Sequence, residues 1–161
     1  MLKNLSVRNA ALSVAAIATA TIAGAWIFEY LGYAPCPLCL KQRWVYYAGI
    51  PLALAVAVIA PGNRNAAKAG LVLLGLLWIG SAGFGAYHAG VEWKFWPGPD
   101  TCGGGLSSLL PDLSKPVVAC DQAAIRILGL SLAGWNAVIS LAMAVIALAG
   151  ARHQGSSSVS Q

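Results

Sequence analysis

Cys36-Pro37-Leu38-Cys39 places two thiols close together along the chain. Such a pair has three common uses: a reversible disulfide, a soft-metal site or a haem anchor. Haem attachment calls for His directly after the second cysteine, and Leu40 stands there instead. A four-cysteine zinc site is usually built from two closely spaced pairs. The remaining cysteines, Cys102 and Cys120, are far apart, so no metal ligand is assigned. Reversible thiol chemistry is the stronger reading, with two structural disulfides as the plain alternative.

The surroundings of the pair bear on its reactivity. Pro35 and Pro37 restrict the chain, and Pro is tolerated in a helix's first turn. A helix is therefore expected from near Leu38, with Cys39 in its first turn. The unpaired N–H groups and the helix dipole favour an anion there. Lys41 and Arg43 add positive charge, and Arg43, four residues on, shares a face with Cys39. Together these predict a thiolate at Cys39. Lys41 reads as a headgroup anchor. Arg43 suits a carbonyl oxygen or an anion. His88 is a candidate proton relay or ligand donor, set against a helix-capping role. Glu29 and Glu92 receive no assignment.

The elements that must hold these residues are membrane helices. The chain has 161 residues, 58% hydrophobic and 9% charged, whereas soluble domains carry about a quarter charged residues. Four apolar stretches, about 10–28, 44–60, 69–87 and 123–149, approach or exceed the roughly 20 residues a span needs. Backbone groups in lipid must be paired internally, which requires helices. The expected fold is an all-α bundle of four transmembrane helices in a single integral membrane domain, residues 1–161. Its outer loops are 29–43 and 88–122, and a disordered tail covers 153–161. The first stretch is read as a retained span rather than a signal peptide, because its apolar run continues through Trp26-Ile27-Phe28. Nothing in this composition suggests a nucleic-acid partner; the lipid bilayer is the expected environment.

Charge sets the expected orientation. Lys3, Arg8, Arg64, Lys68 and Arg152 occupy the N-terminus, the second loop and the C-terminus, with no acid among them. Lys41, Arg43, Lys94, Lys115 and Arg126 share the other side with Glu29, Glu92, Asp100, Asp112 and Asp121. The net charge of +5 thus falls on one side, which the positive-inside rule makes cytoplasmic. Both termini are expected inside, and all four cysteines outside, where a bacterium keeps disulfides oxidised.

The long outer loop has its own features. Cys102 is followed by Gly103-Gly104-Gly105, a pattern for a mobile cysteine. Cys120 precedes Asp121, an expected N-cap for the fourth helix. Twelve of the fourteen aromatic residues lie toward the outer side, Trp78 and Trp135 being the deep ones. This one-sidedness suggests an aromatic-lined pocket for a flat ligand near Cys39. Ala20-x-x-x-Gly24, Gly80-x-x-Gly83 and Gly129-x-x-x-Ala133 read as helix-packing surfaces.

Pro35-Cys36-Pro37-Leu38-Cys39-Leu40-Lys41-Gln42-Arg43, Tyr87-His88-Ala89-Gly90-Val91-Glu92 and Ala119-Cys120-Asp121 before Leu128-Gly129-Leu130-Ser131 resemble the disulfide bond formation protein B (DsbB) family. The resemblance covers nearly the whole chain apart from its termini. It implies a thiol oxidase of the bacterial inner membrane that reoxidises a soluble periplasmic DsbA-like partner. Electrons would pass to ubiquinone or menaquinone. Carried onto this chain, Cys102 would form the mixed disulfide and Cys120 would resolve it. Cys36 and Cys39 would reoxidise that pair, with Cys39 facing the quinone beside Arg43; His88 is a weaker match as a quinone contact. A relative of vitamin K epoxide reductase is the near alternative, and a non-catalytic membrane module the distant one.

Overall fold

The computed structural model describes residues 5–102 and 118–152. The glycines expected to loosen Cys102 and the tail expected to be disordered lie outside the described residues. Four helices dominate: α1 (Val7–Tyr30), α2 (Pro37–Ile59), α3 (Arg64–Glu92) and α4 (Leu132–Arg152). Each is long and apolar enough to cross a membrane. They form a ring in which α3 packs most extensively on α4, α1 on α2, α2 on α3 and α1 on α4. Trp78, Leu71, Leu74, Met143, Val14 and Val56 fill the centre. Leu54, Val58, Leu73, Leu76, Leu141 and Val145 are exposed outward, as lipid-facing positions require.

Every helix starts the same way. The side chains of Ser6, Cys36, Asn63 and Ser131 accept the backbone N–H three residues on, from Asn9, Cys39, Ala66 and Gly134. A cysteine sulfur thus takes the capping place that a hydroxyl or amide oxygen fills elsewhere.

The helix ends on the cysteine side are also alike. After α1, Gly32 adopts φ +97°, and Tyr33 N–H returns to Phe28 C=O. After α3, Lys94 adopts φ +64°, and Phe95 N–H returns to Gly90 C=O. Both are Schellman closures, which favour glycine at the left-handed residue. Gly32→Ala should therefore lower the protein's stability by about 1 kcal/mol, read as an earlier thermal unfolding in detergent. Lys94 holds its strained backbone while its ammonium pairs with Asp121, tying the end of α3 to the residue after Cys120.

The structure corrects two expectations here. Helix four does not begin near Ala123, and Asp121 is not its cap. A short antiparallel hairpin comes first, Arg126–Ile127 (β1) against Leu130–Ser131 (β2). Its turn, Leu128-Gly129, has φ +51° and +84°, the double left-handed geometry of tight hairpins. The proposed small-residue surfaces also fail. A Cβ added at Gly24, Gly80 or Gly83 would meet nothing within 4 Å, and Gly129 serves the hairpin. The glycines at close helix contacts are Gly49, Gly70, Gly75, Gly85 and Gly150.

Candidate redox site

The antiparallel path brings the end of α1, the start of α2, the end of α3 and the start of α4 to one end of the bundle. All four cysteines lie there. Cys102 and Cys120 form a disulfide with Cα atoms 5.2 Å apart, while Cys36 and Cys39 are free. Cys36, Leu38 and Cys120 form one buried cluster, with Cys39, Phe84, Cys102 and Val118 packed against it. The two pairs that the sequence separates by more than sixty residues are therefore neighbours.

The two free sulfurs differ in environment. Their Sγ atoms lie 3.0 Å apart, unbonded and within hydrogen-bond reach. Cys36 is buried and faces the loop disulfide; Cys39 is half-buried and lines a cavity on the other side. Cys36 Sγ also accepts the Cys39 backbone N–H at 3.3 Å and lies 3.5 Å from His88 Nε2. The hydrogen bond with the Cys39 sulfur is the main reason the Cys36 thiol is held well below the usual range. Burial opposes it, and His88 and the Cys39 N–H reinforce it. A first-turn position predicts the favoured anion on Cys39. The capping geometry instead directs the helix's N–H at Cys36.

The cavity has a volume of about 370 Å³, within the size range of small-molecule sites. Its polar side is formed by Cys39, Gln42, Arg43, Tyr46, His88 and Asn136, and most of the remaining wall is apolar. Arg43 is anchored at 2.5 Å to Glu29 on α1, with 12% of its side chain exposed. Glu29 thereby gains a role the sequence did not assign. His88 is 1% exposed, beneath the cysteine pair. The aromatic expectation holds only in part. Phe28, Tyr33 and Tyr46 line the cavity, joined by Trp135. Phe84, Tyr87 and Trp96 instead stack in series, and Trp26 stacks on Tyr47.

A buried polar chain that sequence reading missed runs inward from Cys36. His88 Nδ1 lies 2.7 Å from Gln42 Nε2. Gln42 Oε1 accepts from Asn136 Nδ2 at 2.6 Å. Asn136 Oδ1 accepts from the Tyr46 hydroxyl at 2.6 Å, and Ser140 and Ser81 extend the network across α3 and α4. The available signal was Gln42, Ser81, Asn136 and Ser140 themselves, polar residues within apolar spans. Cys36, Cys39 and His88 present donor atoms within 4.8 Å of one another, close enough for a soft ion to bridge. However, His88 Nδ1 faces an amide nitrogen, where a metal-bound imidazole normally has an acceptor.

Fold and site together define a four-helix membrane protein that packs a free Cys-x-x-Cys pair against a loop disulfide. Residues 7–150 match the family described as disulfide bond formation protein DsbB, and the chain belongs to that family. Its relatives include disulfide bond formation protein B of Albidiferax ferrireducens, 30% identical over 78% of this chain and 76% of that one. The protein of the same name from Azoarcus is 30% identical over 85% of this chain and 87% of its own. An uncharacterised Rickettsia prowazekii protein is 29% identical over 83% and 78%. No solved structure matches the chain.

Proposed function

We propose that this protein is a quinone-dependent thiol oxidase that reoxidises a soluble, DsbA-like dithiol partner. The observation that carries this reading is the position of the Cys-x-x-Cys pair. Cys36 packs with the loop disulfide, and Cys39 opens on the cavity. The charge asymmetry supports placing the cysteine end outside and both termini in the cytoplasm.

Thiol–disulfide exchange requires direct contact between sulfurs. The partner's thiolate attacks Cys102, breaking the Cys102–Cys120 bond and releasing Cys120 as a thiolate; the partner's second thiol then closes the partner disulfide and releases Cys102. Cys120, which shares a buried cluster with Cys36, would pass the reducing equivalents on. The mostly apolar cavity, with a guanidinium and an imidazole on its polar side, fits a flat quinone ring with carbonyl oxygens. When bound, the quinone supplies a two-electron, two-proton acceptor. Arg43 would orient it, His88 would line the wall with both ring nitrogens engaged by Cys36 and Gln42, and Cys39 is the sulfur that faces it.

The test is a purified full-length chain mixed with a reduced DsbA-like partner and either ubiquinone or menaquinone. The expected result is one quinone reduced per partner disulfide formed, with thiol trapping showing oxidised partner. Partner oxidation without quinone consumption would overturn the reading. It would also favour a non-catalytic or different redox role. Arg43→Leu should raise the quinone concentration for half-maximal rate by about tenfold, the effect of losing roughly 1.4 kcal/mol of binding. The mixed disulfide between Cys102 and the partner should still form. Unchanged quinone dependence would remove Arg43 from the site.

A further inference from the structure

The amide orientations of Asn136 and Gln42 give the buried chain between Tyr46 and Cys36 one direction. Tyr46 O–H donates to Asn136 Oδ1. This leaves Asn136 Nδ2 as the atom facing Gln42, and it donates to Gln42 Oε1. Gln42 must then turn Nε2 toward His88 Nδ1, 2.7 Å away. An amide nitrogen can only donate, so Nδ1 can only accept. The proton of the neutral imidazole therefore resides on Nε2, the atom 3.5 Å from Cys36 Sγ.

We propose that Gln42 and Asn136 are positioning residues that lock His88 as its Nε2–H tautomer, making it a neutral hydrogen-bond donor to the Cys36 sulfur. His88 thus does not act as a base toward Cys36: Nε2 is already protonated, and Nδ1 is engaged. Three titratable groups bear on the charge at Cys36. Cys39 on α2 and His88 on α3 bond to it directly, Glu92 on α3 stands 3.9 Å from His88 Nε2, and the loop disulfide carries no charge. The lowered thiol of Cys36 has the hydrogen bond with Cys39 as its first cause, with the one from His88 among the others.

The role in turnover rests on the oxidase reading. There Cys36 thiolate and Cys39 thiol close to a disulfide. Two electrons and the Cys39 proton leave for the quinone, and one further proton is drawn from water. A donor that stays neutral stabilises the Cys36 thiolate without supplying a second positive charge beside Arg43.

The test needs neither quinone nor partner, so it can succeed or fail independently of the oxidase reading. The full chain carries ¹⁵N-labelled histidine, with His153→Asn leaving His88 as the only signal and the Cys36–Cys39 pair reduced. Long-range ¹H–¹⁵N correlations at neutral pH should show the Nε2–H pattern. An Nδ1–H pattern or an imidazolium in this chain overturns the proposal, whatever the variants do. Gln42→Glu presents only acceptors to Nδ1 and should switch the pattern to Nδ1–H. The pH midpoint of thiolate ultraviolet absorbance should then rise by about one unit, or roughly tenfold less thiolate below that midpoint. Asn136→Leu frees Gln42 to turn without adding a charge, and should yield a mixture of both patterns. Retention of pure Nε2–H in both variants, or a switched pattern with an unmoved thiolate midpoint, overturns it equally.

Discussion

Replacing Cys39 with Ser should abolish electron delivery to quinone, lowering turnover on the order of 10³-fold or more, while the folded protein persists. Folding survives because Cys39 borders a cavity rather than filling the core, and its backbone N–H still reaches the Cys36 cap. The loop disulfide, 18 residues in span, is untouched. A reduced partner should still form a mixed disulfide with Cys102, detectable as a crosslinked band after acid quenching. Loss of quinone absorbance with time measures the main effect. Wild-type turnover in this variant would mean that electrons bypass the Cys-x-x-Cys pair.

Gly85→Val should lower the stability of the folded bundle substantially. A Cβ at Gly85 would stand 2.9 Å from the Ala137 backbone nitrogen and 3.1 Å from the Ala133 carbonyl oxygen. Both belong to α4, and backbone cannot swing aside as a flexible side chain can. Overpacking of this kind costs about 1–3 kcal/mol and sometimes more, and valine adds two methyl groups to the clash. The same Cβ would lie 2.9 Å from Asn136 Nδ2. The substitution therefore also disturbs the amide that holds Gln42. Gly83→Val is the matched control, because a Cβ there meets nothing within 4 Å. Thermal unfolding in detergent should separate the two variants clearly. Equal midpoints would refute the close α3–α4 approach at Gly85.

The four spans were legible because a bilayer-length apolar run leaves the backbone no alternative to a helix. The relation of Cys39 to Arg43 was legible because helical spacing is a local property. The start of α4 was not. Residues 123–149 read as one long apolar helix, yet that run exceeds what a bilayer needs. Leu128-Gly129 folds into a turn whose residues are as apolar as the helix that follows. Trp135 Nε1 bonding the Ile127 carbonyl helps to hold the hairpin, a contact no pattern announces. The glycine steps failed for a related reason: spacing places small residues on a common face without saying which face meets a neighbour. The Gln42–Asn136–Tyr46 chain joins residues up to 94 positions apart, so each looked like an isolated polar interruption.

The capping sulfur of Cys36 carries an experimental convenience. Serine is among the best residues for that position, and the other caps here are Ser6, Asn63 and Ser131. Replacing the one sulfur with one oxygen in Cys36→Ser deletes an electron carrier while preserving the architecture of a helix start. Cys36→Ala deletes both, at about 1 kcal/mol for the lost cap. Comparing Ser with Ala at this one atom separates what the sulfur does as a scaffold from what it does as a reagent.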